Sequence, residues 1–343
     1  MDKSVELYLM EMELGAGQSF ENMTAFELLR PQNGGPEYVT LREALERGVF
    51  TVTEVSEGGS VPELMVANKG DVAVLLLDGE ELRGAKQNRI LNTTILVAPK
   101  STVKVPVSCV EHGRWSYQSR EFLESGNVMH REMRMLNVQK VSESLRAVKQ
   151  FRSDQGEIWD KVAELHCALA VPAKTGAMTD VYDAKEADLD GYLKSFRLAG
   201  GQKGILVFVD GQPAGLDFVS RDPAFAMLFP KLIKSYAMEA MLVTERRKRG
   251  RGKGDAKKAL AKPSADEARE FLKKAAACEE KKYESVGLGW SYRYAGLGVV
   301  GSALAFDDKV VHMVFFSIDE AGGGGVEDPG NMAGSRMRRG FRV

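Results

Sequence analysis

Residues 75–115, LLLDGEELRGAKQNRILNTTILVAPKSTVKVPVSCVEHGRW, hold the residue types best suited to ligand chemistry in this chain. An apolar run over 72–77 stops at Asp78-Gly79, a dipeptide that accepts the positive φ angles of a tight turn. Glu80, Glu81, Arg83, Lys86, Gln87, Asn88, Arg89 and Asn92 follow, surrounding a Gly84-Ala85 pair small enough to let backbone approach a ligand. Further on, Val103, Val105, Val107, Cys109 and Glu111 occupy alternate positions and so project to one side of a strand. Glu111 therefore prolongs an apolar face. A carboxylate there needs either a cation such as Lys86 or Arg114 or the mouth of a pocket. Trp115 adds an aromatic surface on which a base or sugar can stack.

Together these residues suit a phosphate-containing nucleotide. Lys86, Arg89 and Arg114 would lie near phosphate, Gln87, Asn88 and Asn92 would hydrogen-bond, Glu80 and Glu111 would take sugar hydroxyls, and Trp115 would stack. A hydrolase is the alternative: Glu81 or Glu111 would stabilise an oxocarbenium ion or activate water while an N-glycosidic or phosphoester bond is cleaved. The same acids suit the adjacent cations as ion-pair partners, which leaves acid and base roles open, and a solvated hairpin with surface ion pairs is the plain alternative to any site.

Gly79-Glu80-Glu81-Leu82, Gly84-Ala85-Lys86-Gln87-Asn88-Arg89 and Val105-Pro106-Val107-Ser108-Cys109-Val110-Glu111 with Gly113-Arg114-Trp115 resemble the signature of the ARG-and-rhodanese-phosphatase-superfamily-associated domain. The similarity continues more weakly through Gln155, Trp159, Gly215-Leu216-Asp217-Phe218 and Ser235-Tyr236-Ala237, covering most of the chain. That family takes its name from gene neighbours that include ADP-ribosylglycohydrolases. The resemblance implies a link to ADP-ribose or a related nucleotide and specifies no reaction.

Other reactive residues read as structural. Cys109 continues an apolar face, and alternation puts His112 on the opposite one, which argues against a thiol and imidazole pair. His130, His166 and His312 are isolated in sequence; Cys109, Cys167 and Cys278 form no CxxC pair, so neither a metal nor a cofactor is expected. Trp159 and Cys167 fall in amphipathic segments and read as core. The basic stretch from Arg246 to Lys258 places eight Lys/Arg among thirteen residues, a density able to grip nucleic-acid phosphates. Its lack of aromatics favours a solvated loop, with an RNA-associated scaffold as the further alternative.

The frame for these residues is expected to be α+β. Over 343 residues with a formal net charge of -1, no global field draws the chain to nucleic acid or to a membrane. The N-terminal stretch lacks a secretion signal and no apolar run approaches membrane-spanning length, so a cytoplasmic protein is expected. Residues 1–120 read as β-rich, a sandwich or small barrel of short hairpin-connected strands over 50–55, 63–68, 72–77, 89–97 and 102–110. Residues 121–319 read as mixed: amphipathic helices near 136–148, 158–169 and 185–196, a hairpin turning at Asp210-Gly211, a helical segment over 222–243 broken at Pro230, a mobile loop at 245–262, a helix from Ser264, and final strands turning at Asp307-Asp308. Residues 320–343 read as a disordered tail.

Overall fold

The computed structural model describes residues 1–30, 35–56, 58, 62–250 and 262–318. The first part of the chain runs α1 (Lys3–Met10), β1 (Glu13–Phe20), β2 (Met23–Leu29), β3 (Tyr38–Thr40), α2 (Leu41–Glu46), β4 (Phe50–Glu54), β5 (Glu63–Asn68), β6 (Ala73–Leu76), β7 (Glu80–Gly84), β8 (Arg89–Leu91), β9 (Ile95–Val97), β10 (Ser101–Cys109) and β11 (Phe122–Val128). Four helices follow, α3 (Arg131–Val148), α4 (Gln155–Ala168), α5 (Met178–Ala184) and α6 (Glu186–Ser195). The remainder is β12 (Gln202–Val209), β13 (Gln212–Val219), α7 (Asp222–Gly250), α8 (Ala265–Ala276), β14 (Glu279–Glu284), β15 (Trp290–Gly296), β16 (Val299–Phe306) and β17 (Lys309–Ser317).

The fold is α+β, and the described residues form three sheets. An antiparallel eight-stranded sheet has the order β1-β2-β12-β13-β17-β16-β15-β14. Period-2 alternation explains why both its faces are covered. Ile205, Val207, Val209, Val314 and Phe316 pack with buried residues of α3 through α7, whereas Leu206, Phe208, Met313 and Phe315 pack with Val5, Tyr8, Phe271 and Leu272 of α1 and α8. Strands β1 and β2 belong to this sheet, β2 pairing with β12, so its members are drawn from both ends of the chain.

The site-bearing sheet has the order β11-β7-β8-β10-β5-β4, and a three-stranded sheet β3-β6-β9 lies beside it. Their shared core contains Phe50, Val52, Leu64, Val66, Leu76, Leu91, Val105 and Phe122. Strand β10 bends the sheet by changing partners: residues 101–106 pair with β5, and residues 107–109 with β8. A single bridge, Thr53 to Glu121, then brings edge strand β4 to the segment entering β11. The result is a curled half-barrel, within the expected sandwich-or-barrel class.

Local departures from the sequence reading have physical causes. Residues 80–84 form a strand of their own, and the run over 89–97 divides into β8 and β9 at Asn92-Thr93-Thr94. Strand β3 runs parallel to β6, with α2, β4 and β5 between them, where hairpins alone were expected. Helix α2 opens on the capping box of Thr40 and Glu43 that its sequence predicts. Helix α7 continues through Pro230 and on into residues 245–250, which the sequence assigns to a loop. Pro230 lies on the exposed side, while Phe225, Leu228, Leu232, Ile233 and Tyr236 are buried, so packing holds the helix across the missing hydrogen bond. Residues 251–261 and the tail over 320–343 lie outside the described residues.

Candidate functional site at the barrel seam

The seam between β4 and β11 carries a cleft of about 780 Å³ lined by Thr53, Glu54, Ser56, Tyr117, Gln118, Ser119 and Arg120. The first polar block adjoins that lining at Glu54, beside Arg89. Arg89, on β8, is wholly buried and its Nη1 donates to the Gln87 carbonyl at 3.3 Å and to Gln87 Oε1 at 3.1 Å. Its Nη2 lies 3.8 Å from Glu54 Oε1, beyond good hydrogen-bonding distance. Among the described residues, Nε and Nη2 of Arg89 and both carboxylate oxygens of Glu54 are buried without a hydrogen-bond partner.

Above this pair the second block supplies aromatic surface. The Arg89 guanidinium carbon is 5.8 Å from the centre of the Trp115 ring, and Lys86 Nζ is 5.4 Å from Trp115 and 5.0 Å from Tyr117. Both rings are half exposed. Lys86 Nζ also donates to the Gly58 carbonyl at 2.7 Å. The two segments singled out in the sequence therefore converge through Lys86, Gln87, Arg89 and Trp115. Glu54 and Tyr117 escaped the sequence reading. The signal for Glu54 was an acid inside the β-prone run over 50–55, and Tyr117 was legible as another aromatic two residues beyond Trp115.

The other candidates are engaged within the protein. Arg114 Nε donates to Glu111 Oε1 at 2.9 Å and its Nη2 to Oε2 at 2.6 Å, while Nη1 reaches the carbonyls of Ala85 at 2.7 Å and Ser116 at 2.9 Å. Of the two fates open to Glu111, the cation is realised, and that cation is Arg114. Asn88 joins the clamp: its amide donates to Glu111 Oε2 at 3.0 Å and its Oδ1 accepts from Arg114 Nη2 at 3.2 Å. Burial opposes the charge on Glu111, but Arg114 and the Asn88 amide outweigh it and hold the carboxyl below its ordinary range.

Gly84, at φ +134°, serves the same turn. A Cβ there would stand 2.6 Å from Ser119 Oγ and 2.8 Å from the Glu121 carbonyl, so the backbone that approaches it is the chain's own 119–121 segment.

Glu80 is buried against Lys231, which also holds Glu124 at 2.7 Å. Burial and the nearby Glu124 raise the Glu80 carboxyl against the pull of Lys231. Asn92 accepts from Ser108 Oγ at 2.8 Å and donates to the Phe151 carbonyl at 3.1 Å. Glu81 is fully buried, with neither carboxylate oxygen in a hydrogen bond of normal geometry. Burial pushes its pKa up to about 7, opposed by the side chains of Ser125 and Asn127.

Gln155, Asp217 and Tyr236, the outlying positions of the resemblance, are structural braces. Gln155 pairs with both backbone groups of Cys109, accepting from its amide at 2.7 Å and donating to its carbonyl at 2.8 Å. Asp217 accepts from both Arg134 nitrogens and from Tyr236 Oη at 2.8 Å. Arg134 Nη2 also reaches Asp78 at 3.4 Å, and Thr94 links Asp78 at 3.2 Å to His312 at 2.9 Å. The network ties all three sheets together through buried groups.

His130, Glu132 and Glu239 bring three ligand-type atoms within 4.8 Å of one another among the described residues. Glu132 is already neutralised by Lys161 at 2.6 Å and Arg246 at 2.8 Å, a charge balance unsuited to a divalent cation. Cys109 is buried, and burial raises its thiol pKa, consistent with a structural thiol. His112 is exposed and packs edge-on against Trp159, 4.5 Å between ring centres.

The architecture is thus that of an α+β protein whose curled N-terminal sheet is pinned to a larger antiparallel sheet, with polar residues gathered at the barrel seam. The chain belongs to the family of the ARG and Rhodanese-Phosphatase-superfamily-associated Protein domain, whose model matches residues 11–316. No curated protein and no solved structure matches it. No helix among the described residues is long and apolar enough to cross a membrane.

Proposed function

We propose that the seam cleft binds a phosphate-containing nucleotide, with an ADP-ribose-like molecule as the leading candidate. The carrying observation is the Lys86 ammonium 5.0 Å from the centre of the Tyr117 ring, which lines the cleft, and 5.4 Å from that of Trp115, with the buried Arg89 guanidinium 5.8 Å from Trp115. The Tyr117 ring offers stacking to a base, with Trp115 next to it across Lys86, and Lys86 and the exposed Arg120 suit phosphate. The family resemblance supports the same ligand class. Binding rather than turnover is favoured: Glu111, tied to Arg114, and Glu81 both lie outside the lining of the cleft, so neither carboxylate is placed to meet a substrate there.

Calorimetric titration with ADP-ribose, NAD and AMP, with chromatographic analysis of the same mixtures for products, tests this. Saturable binding is expected, weakened roughly 5- to 150-fold by Trp115→Ala, in keeping with the worth of one stacked base. Lys86→Ala should weaken it as well. No binding of the three compounds, or binding indifferent to both substitutions, would refute the assignment.

A further inference from the structure

We propose that Glu54 makes the seam cleft selective for ligands that present a vicinal diol, a ribose rather than a deoxyribose; this rests on the nucleotide reading above. Glu54 closes β4, where its backbone is fixed by pairing with Leu64, and the preceding Thr53 bridges to Glu121. The carboxylate is therefore held in place rather than carried on a free loop. Its side chain is only 4% exposed, yet Glu54 lines the cleft together with Tyr117.

Two unmet acceptors at such a site are costly, because a buried carboxylate oxygen without a donor loses its hydration and gains nothing in return. The missing partner can be narrowed by charge. Arg89 Nη2, at 3.8 Å, already supplies the counter-charge but not the hydrogen bond. The complementary group is therefore a neutral donor with two hydrogens to give, side by side. A vicinal diol meets that description: each hydroxyl donates to one carboxylate oxygen, and no net charge is added. A second ammonium or guanidinium would instead place another cation beside Arg89 and Lys86. A sugar held at Glu54 would share the cleft with the Tyr117 ring, the aromatic surface among its lining residues.

The test compares AMP with 2′,3′-dideoxy-AMP by calorimetric titration of the full chain, in the wild type and in Glu54→Gln and Glu54→Ala. The wild type should prefer AMP by roughly tenfold or more, since hydrogen bonds from hydroxyls to a carboxylate are lost in the dideoxy compound. Glu54→Ala should bring the ratio close to one, with Glu54→Gln in between. Equal affinities in the wild type would overturn the diol assignment and leave nucleotide binding standing. Discrimination that survives Glu54→Ala would also overturn it. Failure of both compounds to bind would overturn this inference, and the site assignment beneath it would fall with it only if ADP-ribose and NAD failed as well. The comparison within the wild type needs no variant to fold.

Discussion

Arg134 and Asp217 meet fork to fork between helix α3 and the eight-stranded sheet, Nη1 donating to Oδ2 at 3.0 Å and Nη2 to Oδ1 at 2.6 Å, both side chains sealed from solvent. Burial alone would raise the Asp217 carboxyl, but Arg134 and His312 outweigh it and hold the group far below the usual carboxylate range. Removing the carboxylate leaves the buried Arg134 guanidinium with Asp78, at 3.4 Å, as its remaining counter-charge and strands the Tyr236 hydroxyl. Asp217→Leu should therefore cost about 3–5 kcal/mol in urea unfolding, the penalty typical of breaking a buried pair from one side. A loss under about 1 kcal/mol would mean that the network relaxes around the gap.

Gln155 makes a different kind of structural prediction. Strand β10 ends at Cys109, and the side-chain amide of Gln155 gives that residue what a further strand would have given, one acceptor and one donor. Gln155→Ala should destabilise the protein by about 2 kcal/mol, since two backbone groups lose their partners. Gln155→Glu should recover only part of this, because a carboxylate accepts from the amide and cannot donate to the carbonyl. Equal unfolding midpoints for wild type and Gln155→Ala would show that water replaces the amide fully.

Much of the frame was legible because short-range signals agreed with the final packing. Thr40 and Glu43 form the expected capping box, Asp307 and Asp308 both take positive φ at the final hairpin, and burial alternates from Val103 to Val107 before both faces are covered from Ser108 to Glu111. Where periodicity failed, tertiary contacts decided. Pro230 reads locally as a helix breaker, and only the buried ring and aliphatic residues of α7 show that the helix persists. The pairing of β2 with β12 joins residues almost two hundred positions apart, a relation that no local pattern encodes. The candidate site divides in the same way. Lys86, Gln87, Arg89 and Trp115 were readable as a set by type and spacing, but Glu54 was not, because its place beside Arg89 depends on how β4 closes the curled sheet. The sequence offered Arg114 as one of two cations for Glu111 without choosing between them, and no spacing rule reveals that Glu80 lies against Lys231.

His130 should shape the acid limb of the stability profile. Burial lowers its pKa from 6.5 to about 4, with Arg246 and Lys161 adding to the effect and Glu132 opposing it. Its folded value is depressed, so the unfolded chain takes up the proton first. The contribution is thus intact above about pH 6.5 and is lost as pH falls toward 4. About 3 kcal/mol should disappear over that window, and a His130→Gln variant should show a correspondingly flatter dependence in urea unfolding at pH 7, 5.5 and 4. Identical slopes for the two proteins would place the acid sensitivity in other groups.

Glu81 predicts the opposite dependence and also bears on whether it could be a catalytic acid. Burial is the largest influence on its carboxyl and raises the pKa from 4.5 to about 7. A folded value above the unfolded one means that the folded protein keeps its proton while the unfolded chain releases it. The stability associated with this group is therefore complete below about pH 4.5 and is lost as pH rises through 7. Glu81→Gln removes the titration while keeping size and shape. Relative to the wild type it should gain roughly 2–3 kcal/mol at pH 8 over whatever difference the two show at pH 4.5. A carboxyl that instead served chemistry at the cleft would have to be reached by ligand, and its apparent pKa would then move when AMP or ADP-ribose binds. The enclosed position on β7 argues for no such movement: the pH dependence of the difference between wild type and Glu81→Gln should be the same with and without ligand. A shift of that profile on ligand addition would restore Glu81 as an acid–base candidate.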